Sequence, residues 1–213
     1  MRLALPPQGA LVPNDEHDPL PYYYRPLTGW LYRKRLTMAL SLLPAGTSKQ
    51  HVLEVGVGSG ILVPTLSAAF ASYTATDLVL AKGLDRLVAP TCSARFLEAD
   101  LLAPSSLPSA SFDCIVCLSV LEHIADADAA ATALARALAK GGTLVVGYPM
   151  VNRVMTRLFQ LIGFGNIDDH HVTAPKTIHR ALRRVLRPVA RKALPAFAPV
   201  SLALYQCAAW VKD

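Results

Sequence analysis

The sequence predicts an α/β protein with a doubly wound, mostly parallel sheet that helices cover on both faces. Short apolar runs alternate with segments of helical periodicity, a pattern typical of parallel sheets that are buried on both sides. The first apolar run leads directly into three glycines spaced two residues apart. Hydrophobic residues make up 53% of the 213 residues and charged residues 17%. A single domain with a substantial core is therefore expected.

The elements follow one another in a regular order along the chain. Residues 1–21 hold five of the sixteen prolines and lack apolar periodicity, so we expect a loose arm. Residues 22–43 have helical periodicity, which Pro44-Ala45-Gly46 ends. Strands are predicted near 50–55, 72–77, 94–98, 112–118 and 143–148, with a last strand over 200–211. Helices are predicted near 60–70, 78–89, 123–140, 151–162 and 174–187, the third of them closed by Gly141 and Gly142.

The termini and the cysteines indicate a cytoplasmic protein. No run approaches the roughly 18 apolar residues of a membrane span, and Pro6 and Pro7 interrupt the start where a signal core would continue. Cys114 and Cys117 form a C-x-x-C pair. Because residues three apart on a strand point to opposite faces, we interpret them as core thiols in a reducing compartment and predict no metal site.

The glycine turn and an acid downstream of it indicate a nucleoside-containing cofactor. Gly56, Gly58 and Gly60 follow the apolar run 52–55, and Asp77 closes the next apolar stretch. Glycines let a ligand lie against bare backbone, and the following helix points its free N–H groups at that ligand. A carboxylate at the end of the second strand is placed to accept hydrogen bonds from ribose hydroxyls.

The order Glu54-x-Gly56-x-Gly58-x-Gly60 resembles motif I of the class I S-adenosylmethionine (SAM)-dependent methyltransferases. Ser119-Val120-Leu121-Glu122-His123 resembles the S-x-x-L-E-H segment of that family's small-molecule branch. The resemblance covers about residues 48–148. It implies a Rossmann-like, seven-stranded sheet and a SAM cofactor. It also implies that 1–44 form an arm and helix over the acceptor site, 45–150 the SAM-binding core, and 151–213 the acceptor-side helices and final strands.

The same resemblance implies a role for each cofactor-binding residue. Glu54 would help to hold the amino end of the methionine moiety, and the three glycines would lie beneath the cofactor. Asp77 would bind the ribose, and Asp100 the exocyclic amine of the adenine. Further contacts would come from Leu78 on the adenine face, from the Leu101 backbone, and from Leu118 and Ser119 near the methionine portion. No basic residue follows Asp77 to receive a 2′-phosphate, which argues against an NADP enzyme.

The acceptor side is less sharply defined by the sequence. His170 and His171 follow a glycine turn after the fifth strand, and they are our candidates for acceptor contact or general base. Solvent-facing loop histidines are the alternative. Tyr22-Tyr23-Tyr24 and Trp30 either form an aromatic flap over the acceptor or anchor the first helix to the core.

The basic charge of the chain is concentrated near its C-terminus. Residues 1–150 sum to −1 and residues 151–213 to +7. Arg180, Arg183, Arg184 and Arg187 lie off the apolar face of the predicted helix 174–187. They form either a solvated face or a contact to an anionic or lipid-like acceptor or a membrane surface, and nucleic acid is the weakest option.

Three functions follow from these patterns. The leading one is a methyltransferase that moves the methyl group of SAM to a small-molecule or lipid-like acceptor by in-line displacement. The second is a SAM-binding partner or regulator without its own activity. The third is an NAD-dependent Rossmann oxidoreductase.

Overall fold

The structure is a computed structural model, and it describes residues 1–16, 18–44, 50–103, 106–150, 172–196 and 202–213. Its helices are α1 (Leu20–Tyr24), α2 (Pro26–Leu40), α3 (Val63–Ser67), α4 (Ala127–Ala137) and α5 (Pro175–Val185). Its strands are β1 (His51–Val55), β2 (Ser72–Asp77), β3 (Ser93–Glu98), β4 (Phe112–Leu118), β5 (Leu138–Pro149), β6 (Arg187–Leu194) and β7 (Tyr205–Val211). Short 3₁₀ turns occur at Gln8–Ala10, Leu84–Leu87 and Leu121–His123.

The strands form one seven-stranded sheet in the order β3-β2-β1-β4-β5-β7-β6. Strands β1 to β5 are parallel to one another, whereas β7 is antiparallel to both β5 and β6. The predicted mostly parallel, seven-stranded sheet is thus confirmed. The chain moves outward from β1 on one side and from β4 on the other, so the strand order reverses between them. Open α/β sheets bind ligands beyond the carboxyl ends of their strands at such a point.

Two apolar cores lie on opposite faces of the sheet. Because side chains alternate along a strand, Val52 of β1 packs with α2 and α3, whereas Leu53 packs with α4 and α5. Cys114 and Cys117 divide between the two cores in the same way. Both are free thiols, as the strand pattern predicted.

Three of the predicted helices are shorter than the sequence pattern suggests. The region 60–70 contains only α3, and the region 78–89 contains only the 3₁₀ turn Leu84–Leu87. The second helix fails because Gly83 adopts a left-handed φ of 78°, which breaks a right-handed helix. The region 123–140 contains α4, whose N-cap Asp126 accepts a hydrogen bond from the Ala129 N–H at 2.9 Å. The predicted helix 151–162 lies outside the described residues.

The C-terminal part of the sheet differs from prediction in two places. The predicted cap Gly141-Gly142 lies within β5, since the chain leaves α4 at Leu138 and enters the strand at once. Strand β6 was missed because Arg187–Leu194 shows no apolar alternation, and its first six residues are exposed at the edge of the sheet. None of the helices in the described parts of the chain has both the length and the apolar character needed to cross a bilayer.

The N-terminal arm is packed against the core, contrary to the prediction of a loose arm. The Ala4 N–H donates to Thr65 Oγ1 at 2.9 Å, and Leu11 is buried. The predicted helix 22–43 is two helices, because Arg25 precedes a proline and is extended, with a ψ of 144°. Trp30 points into solvent with 59% of its surface exposed, so it does not anchor α2 to the core.

Candidate functional site

A cavity of about 970 Å³ opens beyond the carboxyl ends of the parallel strands. Its floor is made by the ends of β1, β2 and β4, the loop after β3, and the start of β7. The N-terminal arm, α1 and α2 supply further walls. The cavity therefore lies at the reversal of strand order, where this kind of sheet binds ligands.

The glycine loop after β1 forms one wall and needs glycine for two separate reasons. Gly56, Gly58 and Gly60 have φ values of 80°, 51° and 87°, a region that L side chains rarely adopt. A Cβ at Gly56 would lie 2.2 Å from Val120 Cγ2, and one at Gly60 would lie 2.6 Å from Leu84 Cδ2. Gly56 and Gly58 border the cavity, whereas Gly60 does not. Gly60 thus shapes the turn and packs behind it.

Asp77 joins the end of β2 to the glycine loop. Its Oδ2 accepts a hydrogen bond from the Gly58 N–H at 2.8 Å, and its Oδ1 accepts one from the Leu78 N–H at 2.8 Å. Burial raises the pKa of this carboxyl, the two backbone donors lower it, and Asp15 raises it again. The carboxyl group borders the cavity and keeps lone pairs for further donors.

Glu54 is a buried acid on the floor of the cavity, with 5% of its surface exposed. Burial raises its pKa to about 8, although the Tyr73 hydroxyl, which donates to Oε2 at 2.5 Å, lowers it. A cation that entered the cavity would favour the ionised carboxylate. Glu54 is therefore suited to a positively charged ligand.

The remaining predicted cofactor residues also border the cavity. Asp100 turns the chain after β3 by accepting a hydrogen bond from the Leu102 N–H at 2.8 Å. Ser119 has a φ of 57°, and its hydroxyl lies 3.0 Å from the Tyr205 hydroxyl on β7. Nine of the ten residues predicted to bind the cofactor line the cavity: Glu54, Gly56, Gly58, Asp77, Leu78, Asp100, Leu101, Leu118 and Ser119.

The N-terminal arm adds acids that the sequence pattern did not single out. Asp18 Oδ2 lies 3.6 Å from the position that a Cβ of Gly58 would take, and Asn14 Nδ2 donates to the Val79 carbonyl at 3.3 Å. The arm therefore lies over the glycine loop and the end of β2. We call this part of the cavity the acidic half. Its carboxyl groups are those of Asp15, Glu16, Asp18, Glu54, Asp77 and Asp100.

The opposite part of the cavity is aromatic and contains a fixed arginine. The Arg35 guanidinium donates to the Tyr23 hydroxyl at 2.8 Å and lies 4.3 Å from the ring centroid of Tyr32 and 5.3 Å from that of Tyr205. Its Nε is buried and has no hydrogen-bond partner among the described residues. We call this part the tyrosine half; it comprises Tyr22, Tyr23, Tyr32, Arg35, Glu122 and Tyr205.

The aromatic flap predicted from the sequence is only partly formed. Tyr22 and Tyr23 border the cavity, but Tyr24 and Trp30 do not. The Tyr24 hydroxyl instead donates to the Pro6 carbonyl at 2.6 Å and ties α1 to the arm. Tyr32 and Tyr205 were missed because they lie on different elements and come together only in the fold.

Glu122 belongs to the S-x-x-L-E-H segment noted in the sequence, but its position beside Arg35 becomes visible only in the fold. It borders the cavity with 2% of its surface exposed, and neither carboxyl oxygen has a hydrogen-bond partner in the described parts of the chain. Burial raises its pKa to about 8, and the backbone N–H of the same residue and the Arg35 charge oppose that rise. Its backbone carbonyl accepts hydrogen bonds from the Val172 and Thr173 N–H groups at 2.9 and 3.0 Å.

The predicted acceptor residues on the C-terminal side are not part of the described cavity. His170 and His171 lie outside the described residues; the described chain resumes at Val172. The four arginines at 180, 183, 184 and 187 are exposed and do not border the cavity. Arg184 pairs with Asp128 and Arg187 with Asp213. Within the described ranges, no cluster of three His, Cys, Asp or Glu residues could hold a metal ion.

Two curated relatives match about half of the chain. An uncharacterized methyltransferase of Mycobacterium tuberculosis is 36% identical over 109 residues, which are 50% of this chain and 53% of that protein. A ubiquinone biosynthesis O-methyltransferase of Xylella fastidiosa is 37% identical over 115 residues, 51% of this chain and 44% of that protein. The chain thus spans about half the length of the curated relatives it matches.

Solved structures match over most of the chain. The N-methyltransferase NodS of Bradyrhizobium japonicum, in complex with S-adenosylhomocysteine (SAH), has a TM-score of 0.64 at 20% identity and covers 93% of both chains. The geranyl diphosphate C-methyltransferase of Streptomyces coelicolor has a TM-score of 0.66 at 11% identity, with 96% of this chain and 90% of that chain covered. These likenesses show the fold. The family model described as "Methyltransferase domain" matches residues 30–187. Because that match covers more than half of the sequence, this chain belongs to the methyltransferase domain family.

Proposed function

We propose that this chain transfers the methyl group of SAM, the methyl donor of its family, to a small-molecule acceptor. The observation that carries the proposal is the division of one cavity into an acidic half and a tyrosine half. A two-substrate transfer needs both reactants in one space with their reacting atoms aligned. The two halves meet at Ser119, whose hydroxyl contacts Tyr205.

The acidic half fits the donor by charge and by shape. SAM carries a sulfonium and an ammonium group, and six carboxyl groups surround that half: those of Asp15, Glu16, Asp18, Glu54, Asp77 and Asp100. The open backbone of Gly58 and the adjacent Asp77 suit the ribose, and Asp100 with Leu78 and Leu101 suits the adenine. Glu54, Leu118 and Ser119 suit the methionine end.

The methionine end also carries a carboxylate, which needs a donor in the same cavity. Arg25 and Arg35 are the lysine or arginine residues that border the cavity in the described parts of the chain. Arg35 is the better placed of the two because the Tyr23 hydroxyl and three tyrosine rings hold its guanidinium. Arginine binds carboxylates through paired N–H groups.

The same charges argue against the oxidoreductase alternative. A dinucleotide brings a pyrophosphate to the glycine loop, and the carboxyl groups of Asp18 and Asp77 lie beside that loop. Like charges at such short range are unfavourable. The cavity therefore favours a cationic nucleoside over an anionic one.

Bound SAM would supply an electrophilic methyl group, so the protein needs chiefly to align the acceptor and exclude water. The N-terminal arm helps to exclude water, because the Asn14 side chain donates to the Val79 carbonyl and holds the arm over the cavity.

On the acceptor side, His170 and His171 remain candidates for acceptor contact or general base. An anionic or lipid-like acceptor also remains part of the proposal. In the proposed organisation, residues 1–44 cover the acceptor site, residues 45–150 form the SAM-binding core, and residues 151–213 form the acceptor side of the domain. The four free cysteines favour a cytoplasmic location.

Calorimetric titration tests the donor. We expect micromolar binding of SAM or SAH and far weaker binding of NADH; NADH binding without SAM binding would contradict the proposal. Incubation with metabolite extracts and methyl-labelled SAM then tests the transfer. Binding of SAM with no labelled product would favour the alternative of a SAM-binding partner or regulator without its own activity.

A further inference from the structure

The cavity has more arginine than the donor can use. In the described parts of the chain, Arg25 and Arg35 both border the cavity, whereas SAM carries a single carboxylate. Arg35 suits that carboxylate, because three tyrosine rings and the Tyr23 hydroxyl hold its guanidinium in place. Arg25 is therefore left over once the donor has been accommodated.

The side chain of Arg25 is open to a ligand, although its backbone is fixed. Its carbonyl accepts the Gly29 N–H at 2.8 Å, and its extended backbone, with a ψ of 144°, precedes Pro26. The side chain is exposed, and it forms no ion pair and no hydrogen bond among the described residues. Its guanidinium carbon lies 4.8 Å from the ring centroid of Tyr22. An anion that enters the cavity can thus reach the guanidinium without displacing a carboxylate.

Two stacked tyrosine rings lie between the two arginines. The ring centroids of Tyr22 and Tyr32 are 5.6 Å apart and the ring planes differ by 25°. The Arg35 guanidinium carbon lies 4.3 Å from the centroid of Tyr32. The order Arg25, Tyr22, Tyr32, Arg35 therefore leads from an exposed arginine to a partly buried one. Both rings are partly exposed and border the cavity, so a second aromatic ring can pack against them.

We infer that Arg25 binds the carboxylate of an aromatic acid acceptor whose ring packs along Tyr22 and Tyr32. The inference rests on the proposed methyl transfer and names the class of its acceptor. Arginine pairs with a carboxylate through two parallel N–H groups. A carboxylate is favoured over a phosphate dianion, because Asp15 and Glu16 border the same cavity and would repel the second charge.

The expected contribution of Arg25 is to acceptor selection. Because its side chain is exposed, water and salt weaken its attraction for an anion. The charge should therefore give a moderate preference for acids over neutral compounds of the same shape, and that preference should fall as the salt concentration rises.

The probes are three aromatic acids of increasing length: phenylacetate, 3-phenylpropanoate and 4-phenylbutanoate. Each is compared with its amide, which has nearly the same shape without the charge. Ligand-detected NMR titration measures their affinity for the full chain saturated with SAH, in the wild type, Arg25→Gln and Lys34→Gln. Lys34→Gln is the matched control, because Lys34 is exposed on α2 and does not border the cavity.

We expect the wild type to bind at least one acid roughly fivefold more tightly than its amide at low salt. Arg25→Gln should lose this preference and still bind SAH as tightly as the wild type does, which also shows that the variant is folded. Lys34→Gln should keep both the preference and the SAH affinity.

The outcomes separate this inference from the proposed function. Absence of SAH binding by the wild type would contradict the proposed function itself. With SAH bound, equal affinity for every acid and its amide would overturn the inference, as would an acid preference that survives Arg25→Gln or that Lys34→Gln also abolishes. Weaker SAH binding by Arg25→Gln would overturn it too, because Arg25 would then hold the carboxylate of the donor.

Discussion

The two halves of the cavity contain the same chemical group in opposite settings. Glu54 and Glu122 are both buried, and burial raises the pKa of each to about 8. Glu54 accepts a hydrogen bond from Tyr73 and lies among other carboxyl groups, whereas Glu122 is unpaired in the described structure and lies near Arg35. The same acid therefore has a fixed side-chain partner in one half and none among the described side chains in the other.

This contrast shows how one cavity can serve two reactants. The acidic half is built from the ends of β1, β2 and β3 with the arm above them, and its charge suits a cationic donor. The tyrosine half is built from α1, α2 and β7. Substitutions in the acidic half should therefore weaken binding of the donor, and the following experiments test whether the tyrosine half also contributes to it.

The largest effect is expected from Asp77→Ala. Removal of a charged acceptor for two ribose hydroxyls should cost on the order of 2–4 kcal/mol, or roughly 30- to 1000-fold in SAM affinity. Calorimetry measures the change in SAM affinity. Asp85→Ala is the matched control, because Asp85 is exposed and lies outside the cavity. Unchanged affinity in Asp77→Ala would remove Asp77 from the cofactor site. Asp100→Ala should cost less, because the Leu101 backbone would still be in place to contact the adenine.

Gly56→Ala should damage the acidic half through its shape. The new Cβ would meet Val120 at a backbone φ of 80°, and strain together with overpacking should cost about 2–4 kcal/mol of folding stability. Gly9→Ala is the control, because no atom lies within 4 Å of its Cβ position. Urea unfolding of the two variants measures the contrast, and equal midpoints would show that the loop can relax.

Arg35→Gln tests whether the tyrosine half also holds one end of the donor. Loss of a charge-assisted contact to the methionine carboxylate should cost about 1.5–3 kcal/mol, or roughly 10- to 100-fold in SAM affinity. Lys34→Gln makes the same change of charge on the adjacent exposed position of α2. If both variants bind SAM as the wild type does, Arg35 does not hold the methionine carboxylate.

Glu122→Gln should change the pH dependence of folding stability. Because the pKa of Glu122 is raised, to about 8, the folded state keeps a proton that the unfolded state loses near pH 4. The wild type should therefore lose stability relative to Glu122→Gln as the pH rises from about 4 to 8, by at most about 1.4 kcal/mol for each pH unit in that range. Chemical denaturation at pH 5 and pH 8 measures it. A constant difference would mean that the pKa of the carboxyl is the same in the folded and unfolded states.

The smallest effect is expected in the basic C-terminal region. Arg180 and Arg183 are exposed and lie outside the cavity, so changing both to Gln should leave SAM affinity and stability within about 0.5 kcal/mol. Co-sedimentation with anionic vesicles at low and high salt checks the membrane option. Binding that disappears in the double variant and at high salt would assign these arginines to a membrane surface.

The strands, the glycine loop and its acids could be predicted from the sequence because these features are local. An apolar run of five to seven residues forms a buried strand, as β1, β2 and β4 show. Three glycines at positive φ specify a turn whatever surrounds them. The order of Glu54, Gly58 and Asp77 along the chain therefore sufficed to place them at one edge of the sheet, and the family resemblance added Asp100.

The other half of the site depends on tertiary contacts and could not be predicted in this way. Arg35, Glu122 and Tyr205 are separated by more than 80 positions at each step and meet because α2 and β7 pack beside the end of β4. The segment 78–89 has an apolar pattern that fits a helix, but Gly83 and the contact from Leu80 to Glu98 hold it as a loop. Strand β6 forms because β7 offers it an edge to pair with. Contacts between distant parts of the chain leave no periodic signal in the sequence, so burial and pairing in the fold decide them.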